Sequence, residues 1–213
     1  MRVLAPYKYK FIELTKSGGK NVLEVGVGND SPVQFFRYHN DYIYDGIDKS
    51  GDYNLSPESI MLMNEFYILD LETDDLNAIQ NNYYDYLVIS HVIEHINNGE
   101  EIIEKLIMKL KKGGVIYIEY PSVKSEKFPS MKGTLNFYDD PTHKRFYDIN
   151  ILLKILTKAG FEILRSGIKR DFFRIIGLPY MIVKSIFLHG YIRGSVFWDL
   201  LGFAEYIVAR RNA

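Results

Sequence analysis

The sequence lacks cysteine, an excess of charge of either sign, and any long uninterrupted apolar run. Without cysteine the chain cannot form disulfides, thiolate zinc sites, iron-sulfur clusters or cysteine nucleophiles, and its composition does not require an oxidising compartment. Its 26 basic and 27 acidic side chains leave a formal net charge of -1, so no overall field attracts nucleic acid. We therefore expect a cytoplasmic protein that does not act on nucleic acid.

What is present fits one compact domain, since the 213 residues are 47% apolar and 15% aromatic. We predict a single domain over residues 1–213, with an N-terminal helical extension at 1–20. Two long irregular stretches follow, a loop at 121–147 and an apolar insertion at 171–203. Charged residues and glycines interrupt the insertion, so each apolar run within it is too short to form a helix that spans a bilayer.

Four short strand-like runs recur at nearly even spacing in the first half of the chain. They end at Gly26, Asp48, Asp70 and Ser90, so successive ends lie 22, 22 and 20 residues apart. This spacing accommodates one strand, one short helix and two loops, the arithmetic of repeated strand-helix-strand units in a parallel sheet. Three further strand-like runs follow: GVIYIEY, FEILRSGIKR and the final AEYIVARR.

Helix signals lie between these runs. The segment Ser31-Pro32-Val33-Gln34 predicts a capping box that opens a helix through about His39. An apolar face with acids in the first turn and lysines in the last predicts a helix over Gly99–Lys112, which Gly113 ends. Asp148 is expected to cap another helix that runs to Ala159.

A glycine turn joins the first strand to its helix in Glu24-Val25-Gly26-Val27-Gly28. Its glycines allow a tight turn and a close approach of a ligand to the backbone, and the amides of the next helix favour a negative group. Asp48 and Asp70 end the next two strands, at the same edge of a parallel sheet. Each feature alone is equally typical of an ordinary turn or a solvated acid. Together they favour a nucleotide site.

The run VLEVGVGN, with Asp48, Asp70-Leu71 and YDYLVISHVIEHI after the next strands, resembles the class I S-adenosylmethionine-dependent methyltransferases over about 21–160. The resemblance implies a Rossmann-like, doubly wound α/β fold: a seven-stranded, mostly parallel sheet with an antiparallel last strand and helices on both faces. It also implies S-adenosylmethionine as the cofactor. The residues that the resemblance assigns to its binding are Glu24, Gly26 and Gly28 around the methionine, Asp48 at the ribose, Asp70 and Leu71 at the adenine, and Ser90 and His91 beside the methionine. Asn29-Asp30-Ser31 departs from the family, which often has a further glycine there.

His91-Val92-Ile93-Glu94-His95 matches the HxxEH pattern of one class of zinc protease. Zinc would need both histidines on one face of a continuous helix, whereas His91 follows a strand directly and Asn97-Asn98-Gly99 interrupts any helix. In the methyltransferase interpretation, Glu94 and His95 resemble a pair common in the family, with structural hydrogen bonding favoured over catalysis or metal binding. We assign no metal ligands.

The segment Asp139–Tyr147 contains a DxxH-R-F arrangement that resembles small-molecule methyltransferases of the methyltransferase-11 and methyltransferase-23 type, and the resemblance places the loop at 121–147 on the acceptor side. His143 is our candidate catalytic base for an acceptor hydroxyl, because an imidazole pKa lies near the working pH. The alternative is that His143 only tethers the loop.

The leading hypothesis is methyl transfer from S-adenosylmethionine to a small-molecule acceptor, such as a sugar, a lipid precursor or a quinone-like compound, with oxygen favoured as the methylated atom. The alternatives are an NAD(P)-dependent oxidoreductase and a non-catalytic, cofactor-binding partner subunit. For the apolar stretch at 172–203 three roles stay open: packing in the core or over the acceptor, a homodimer interface, or contact with a membrane surface.

Overall fold

The computed structural model describes residues 5–51 and 54–213. Within them seven strands form one sheet: β1 (Asn21–Val25), β2 (Ile43–Asp48), β3 (Glu65–Ile68), β4 (Tyr84–Ser90), β5 (Leu110–Pro121), β6 (Phe161–Ile168) and β7 (Ala204–Arg211). Their order across the sheet is β3-β2-β1-β4-β5-β7-β6. Strands β1 to β5 pair in parallel, and β7 runs antiparallel to both β5 and β6. The predicted mostly parallel sheet with an antiparallel last strand is confirmed.

Helices cover both faces of this sheet, as predicted. In the described residues they are α1 (Ser31–Phe36), α2 (Pro57–Leu62), α3 (Gly99–Ile107), α4 (Ile149–Lys158), α5 (Phe172–Ile176), α6 (Leu178–His189) and α7 (Trp198–Leu201). The apolar sides of α3 and α4 pack on one face of the sheet. On the other face, Phe35 of α1 packs with Tyr9, Phe11 and Ile12 of the N-terminal segment. Two apolar cores therefore sandwich the sheet.

The aromatic richness of the sequence is largely absorbed by this packing. Tyr84 and Tyr86 of β4 are almost completely buried, yet each hydroxyl has a partner: Tyr84 donates to Asp45 Oδ2 at 2.7 Å, and Tyr86 donates to the carbonyl of Lys8 at 2.6 Å. A buried tyrosine contributes a large apolar area but needs a hydrogen bond for its hydroxyl. These bonds tie the centre of the sheet to β2 and to the N-terminal segment.

Helix α3 ends at Ile107, so the prediction that it continues to Lys112 is wrong. The chain enters β5 at Leu110 instead, because the lysines expected in the last helical turn contact other segments. Lys109 is buried and donates to the carbonyls of Leu76 and Ile79, and Lys111 pairs with Asp85. Hydrogen bonds and an ion pair with other segments thus place these lysines outside the helix, although the local pattern favours a helix.

The predicted capping box at Ser31 is also wrong. The N-cap residue of α1 is Asp30, which has a left-handed backbone with φ of 53° and caps no amide with its side chain. Gln34 reaches back to the carbonyl of Asn29 rather than to an amide, and the helix ends at Phe36 instead of His39. In contrast, Asp148 caps α4 as predicted by accepting from the Asn150 amide.

The two segments outside the repeated units are only partly helical. Residues 5–20 contain two 3-10 turns, Tyr7–Tyr9 and Ile12–Leu14. The insertion at 171–203 contains α5, α6, a further 3-10 turn at Gly194–Phe197, and α7. Among the described residues, none of the helices combines the length and apolar character needed to cross a membrane.

Candidate active site

The glycine turn after β1 lies against the end of β2. The strand ends at Val25, one residue earlier than predicted, and Gly26 follows with φ of 77°, a region that side chains rarely adopt. The Gly26 amide donates to the carbonyl of Ile47 at 2.8 Å. A Cβ atom on Gly26 would lie 2.3 Å from Cγ2 of Val92, so this position has no room for a side chain. The turn is held close to the residue before Asp48.

The residues where the chain departs from the family complete this turn. Asn29 and Asp30 both have left-handed backbones, with φ of 52° and 53°, and asparagine and aspartate tolerate that conformation best after glycine. Asp30 Oδ1 accepts from the Ser56 amide and from the Ser59 hydroxyl, both at 2.7 Å. These hydrogen bonds lower the pKa of Asp30. The missing glycine is thus replaced by residues that hold a similar turn.

Glu24 lies on β1 with its carboxylate buried in the core beside the N-terminal segment. It accepts from Lys8 Nζ at 2.5 Å and from the hydroxyls of Tyr9 and Tyr44 at 2.6 Å each. A buried carboxylate needs such partners to offset its lost hydration. This network joins β1, β2 and the residues before β1, and no pattern in the sequence predicts it.

Asp48 and Asp70 lie at neighbouring strand ends. Asp48 ends β2, is half-buried, and accepts from the Ser50 amide, while burial raises its pKa. Strand β3 ends at Ile68, two residues before the predicted Asp70, whose carboxylate pairs with Lys49 Nζ at 2.7 Å. Leu71 follows with its side chain buried. The structure therefore brings the predicted ribose and adenine residues to one edge.

His91 is held between two carboxylates at the end of β4. Its Nδ1 lies 3.1 Å from Glu94 Oε1 and its Nε2 lies 2.9 Å from Glu119 Oε1. Burial lowers the pKa of His91, but the hydrogen bonds to Glu119 and Glu94 outweigh it and raise the pKa to about 9. Since both nitrogens then carry protons at neutral pH, His91 acts as a cation that donates in two directions and cannot serve as a general base.

Glu119 and Lys169 complete a charged cluster that the sequence did not reveal. Lys169 Nζ lies 2.8 Å from Glu119 Oε1, and Tyr117 donates its hydroxyl to the other oxygen. Burial raises the pKa of Glu119, but Lys169 and His91 outweigh it and hold the pKa well below its usual range. Glu119 lies on β5 and Lys169 directly follows β6, in segments that read as ordinary core from their pattern, so only the topology reveals the cluster.

A cavity of about 1060 Å³ opens beside this cluster. Its walls come from the N-terminal segment, from α1, from the ends of β4 and β5, and from the insertion at 171–203. Of the predicted cofactor residues, Ser90 and His91 line it, whereas Glu24, Gly26, Gly28, Asp48, Asp70 and Leu71 do not. Ligand pockets commonly measure about 300–1,000 Å³, so the space suits a small molecule next to the glycine turn.

Basic side chains outnumber acidic ones around this cavity. The basic residues are Lys8, Lys10, Arg37, Lys169, Arg174 and Arg193, and the acidic ones are Asp30, Glu119 and Asp171. Four of these cations pair with carboxylates. In the described chain the guanidinium groups of Arg37 and Arg193 have no carboxylate partner. The cavity thus carries positive charge in addition to the protonated His91.

His143 lies outside the lining of the cavity. Its Nδ1 lies 2.7 Å from the carbonyl of Phe137, and its ring packs between Phe137 and His95. No residue of 121–147, which are all described, lines the cavity either. The loop is instead held against the end of β4, since the Lys144 amide donates to the carbonyl of Glu94 at 2.7 Å. Catalysis by His143 stays a prediction.

The HxxEH pattern does not form a zinc-protease site. Only Ile93–His95 form a 3-10 turn, and His91 precedes it with φ of 55°, so no continuous helix carries both histidines. His91 uses its two nitrogens on Glu94 and Glu119, while His95 faces His143. The HxxEH spacing suggests that His91 and His95 act together, but in the structure His95 lies next to His143 instead.

The parallel α/β sheet, with a glycine turn and acids at the carboxyl ends of adjacent strands, defines a nucleotide-cofactor-binding protein of the Rossmann-like class. The model of the methyltransferase domain family matches residues 3–166, more than half of the chain. The chain belongs to this family and is a class I S-adenosylmethionine-dependent methyltransferase. This membership decides against the oxidoreductase and non-catalytic alternatives.

Solved structures with related folds agree with this assignment. A SAM-dependent methyltransferase from Archaeoglobus fulgidus is 20% identical with a TM-score of 0.55, and the alignment covers 95% of this chain and 90% of that one. An S-adenosylmethionine-dependent methyltransferase from Mesorhizobium loti is 13% identical with a TM-score of 0.63, over 98% and 100% of the two chains. At these identities the likeness shows the fold.

A larger neighbour is phosphoethanolamine N-methyltransferase 2 from Haemonchus contortus, solved with S-adenosyl-L-methionine. It is 17% identical with a TM-score of 0.63, and the alignment covers 92% of this chain but 49% of that protein. The sequence itself has no significant match among curated proteins.

Proposed function

We propose that this methyltransferase transfers the methyl group of S-adenosylmethionine to oxygen on a small molecule that carries a negative charge. The observation that supports the acceptor class is the cavity, where basic residues outnumber acidic ones and where no carboxylate of the described residues pairs with the guanidinium groups of Arg37 and Arg193. A phosphorylated sugar or a lipid-linked precursor has this charge. Such a group binds arginine through paired, charge-assisted hydrogen bonds.

The same charge supports oxygen as the methylated atom. An amine acceptor enters at neutral pH mostly as an ammonium ion, because its pKa lies near that of lysine. The protonated His91 and the arginines repel such a cation, whereas a hydroxyl group meets no such penalty. Catalysis by His143 stays a separate prediction on which this proposal does not depend, because His143 lies outside the cavity lining.

The residues at the carboxyl edge fit the cofactor. The turn at Gly26 leaves no side chain between the backbone and a ligand, and the half-buried Asp48 carboxylate suits two ribose hydroxyls as hydrogen-bond donors. We assign Gly26, Gly28, Ser90 and His91 to the methionine and Asp70 with Leu71 to the adenine. Glu24 acts here by fixing Lys8, which lines the cavity.

The cofactor supplies an activated methyl group on a positive sulfur, so the chain mainly positions the acceptor and excludes water. Trp198 and Met181 of the insertion and Tyr7 of the N-terminal segment provide apolar surface at the cavity wall. Lys169 and His91 lie at its inner end and hold fixed positive charge there. We keep the prediction of a cytoplasmic enzyme on the strength of its cysteine-free composition.

A panel of acceptors tests the proposal. Formation of S-adenosylhomocysteine is measured with sugar, lipid-precursor and phenolic compounds, each as a phosphorylated or carboxylated form and as its neutral analogue. We expect turnover with an anionic form and an O-methyl product by mass spectrometry. Arg193→Gln should raise KM by about tenfold for the anionic acceptor, while Arg165→Gln, an exposed arginine outside the cavity, should not. Turnover of neutral analogues only, or of amines only, contradicts the proposal.

A further inference from the structure

Away from the cavity, a group of metal-ligand side chains lies where the loop at 121–147 meets the end of β4. One potential ligand atom from each of Glu94, His95 and His143 lies within 4.8 Å of the other two. We propose that these three residues bind a divalent transition-metal ion, such as Zn²⁺, that fastens the loop to the sheet. Two imidazoles and one carboxylate are a common zinc donor set.

The carboxylate of Glu94 is the strongest sign of a missing partner. Its side chain is 1% exposed, and its Oε1 accepts from His91. Its Oε2 has no hydrogen-bond partner within the described residues, although it is buried. A buried carboxylate oxygen without a partner is costly, because it loses its hydration without compensation. A bound cation supplies that compensation.

His143 already presents the correct nitrogen. Its Nδ1 lies 2.7 Å from the carbonyl of Phe137, and because a carbonyl oxygen only accepts, Nδ1 carries the proton. The lone pair is then on Nε2, the atom that is free to bind a metal. Asp140 Oδ2 lies 3.9 Å from this Nε2, outside the group of three.

His95 is arranged in the same way. Its Nδ1 lies 3.2 Å from the carbonyl of Thr142 and 2.9 Å from the Thr142 hydroxyl oxygen. That hydroxyl donates to Asp140 Oδ1 at 2.5 Å, so it accepts from His95. His95 therefore also carries its proton on Nδ1 and its lone pair on Nε2. Outer hydrogen bonds that fix the tautomer of a histidine are typical of metal ligands.

The backbone already brings the two segments together. The Lys144 amide donates to the carbonyl of Glu94 at 2.7 Å, and the rings of His95 and His143 lie 4.9 Å apart. Ligand atoms around tetrahedral zinc lie about 3.4 Å apart, so atoms that lie within 4.8 Å of one another need to approach by at most about 1.4 Å. Side-chain rotation supplies such a distance. None of these residues lines the cavity, so the ion has a positioning role.

Metal binding to the full-length, tag-free chain after dialysis against a chelator is the test. With Zn²⁺ alone as the probe, calorimetry should give one equivalent per chain, and Co²⁺ should produce visible absorption typical of nitrogen and oxygen ligands. His95→Gln, His143→Gln and Glu94→Gln should each weaken binding by at least about tenfold. His189→Gln, an exposed histidine on α6, is the matched control and should leave binding unchanged.

Circular dichroism and S-adenosylmethionine binding report whether each variant folds. Glu94→Gln keeps the size of the side chain, so this variant still tests metal binding if a histidine variant unfolds. We also expect Zn²⁺ to raise the melting temperature of the wild type and not of the double variant His95→Gln/His143→Gln. Equal zinc stoichiometry and affinity in the wild type and in that folded double variant overturn the proposal, as does the absence of zinc binding to the wild type.

Discussion

At the residue scale, the charged cluster at the end of β4 consists of residues that are distant in the sequence. The order of the strands in the sheet brings them together. His91 and Glu119 are 28 residues apart and meet because β4 and β5 are parallel neighbours. Lys169, which follows β6, reaches the same carboxylate across β7. The sequence predicted His91 as a cofactor neighbour from a resemblance. It did not predict Glu119 or Lys169, which lie in segments that read as structural, whereas Glu94 was expected to form structural hydrogen bonds and does so with His91.

The raised pKa of His91 predicts a pH dependence of stability. In the unfolded chain its pKa lies near 6.5, and in the folded protein it is about 9. The stabilisation is therefore fully present below about pH 6.5 and is lost as the pH rises through 9. Between these limits the free energy of unfolding should fall by about 3 kcal/mol. Urea denaturation of the wild type and of His91→Gln at pH 6.5 and 9.5 measures it. An equal fall in both proteins contradicts the prediction.

Gly26 is the residue where conformation and space act together. A Gly26→Ala variant forces a side chain into a left-handed backbone and into Val92 Cγ2. We therefore expect the free energy of unfolding to fall by about 2–4 kcal/mol. We also expect the variant to bind the cofactor more weakly. Gly160→Ala has the same backbone problem with φ of 81° but nothing within 4 Å of the added Cβ. It should cost only about 1–2 kcal/mol.

The double variant Gly26→Ala/Val92→Ala separates the two causes. Removal of the Val92 branch should recover part of the stability that Gly26→Ala loses, whereas Val92→Ala alone should not stabilise the protein. Chemical denaturation of the four proteins forms a complete cycle. A strictly additive result would mean that the clash at 2.3 Å has no energetic consequence.

At the element scale, local patterns predicted structure correctly where no distant partner binds the residues involved, and the capping box at Ser31 failed where Asp30 bonds to Ser56 and Ser59. The Asp148 cap and the strand β7 follow from a few neighbouring residues, and both are confirmed. The end of α3 was wrong because Lys109 and Lys111 find partners around Leu76 and Asp85, more than 25 residues away. No helical propensity scale contains that information.

The helix α6 of the insertion exposes apolar side chains on the surface of the protein. Core packing does not account for α6, because among its residues only Ser185 is buried, while Phe187 is 87% exposed. The helix carries a single lysine, so it lacks the basic polar face of a helix that lies on anionic lipid. Tyr180 and Met181 of this helix line the cavity, which fits packing over the acceptor; for the exposed remainder of the helix, these features favour a homodimer through 172–203 over a membrane surface.

We therefore expect Phe187→Ser to convert a dimer into a monomer, measured by light scattering after size-exclusion chromatography at micromolar concentrations. Lys154→Ser, an exposed residue on α4, is the control and should not change the mass. A monomeric wild type that pellets with anionic liposomes would instead favour the membrane role. A monomer that binds no liposomes would contradict both roles.

At the scale of the whole molecule, the repeated strand spacing and the motifs at strand ends predicted the sheet, its class and the cofactor. The cavity was not predicted, because its walls come from the N-terminal segment and the insertion, which have no repeat. The sequence placed the acceptor side at 121–147 by resemblance. The structure packs that loop against the end of β4, where His143 meets His95.

The two roles considered for His143 exclude each other, because the single lone pair on Nε2 cannot bind a metal and accept a proton from an acceptor. A base predicts that His143→Gln strongly lowers kcat and that His95→Gln does not. A metal ligand predicts that both variants lose zinc together. The kcat and the zinc affinity of the two variants therefore distinguish the two roles of His143.

The central claim is that the carboxyl edge of the sheet binds S-adenosylmethionine through the turn at Gly26 and the carboxylate of Asp48. Calorimetric titration of the wild type and of Asp48→Ala with S-adenosylmethionine tests it most directly. We predict micromolar binding to the wild type with one equivalent per chain, and a loss of about tenfold or more for Asp48→Ala, with Asp75→Ala, an exposed acid beyond this edge, unchanged. Absence of binding to the folded wild type at millimolar ligand, or equal affinity in Asp48→Ala, would contradict the account.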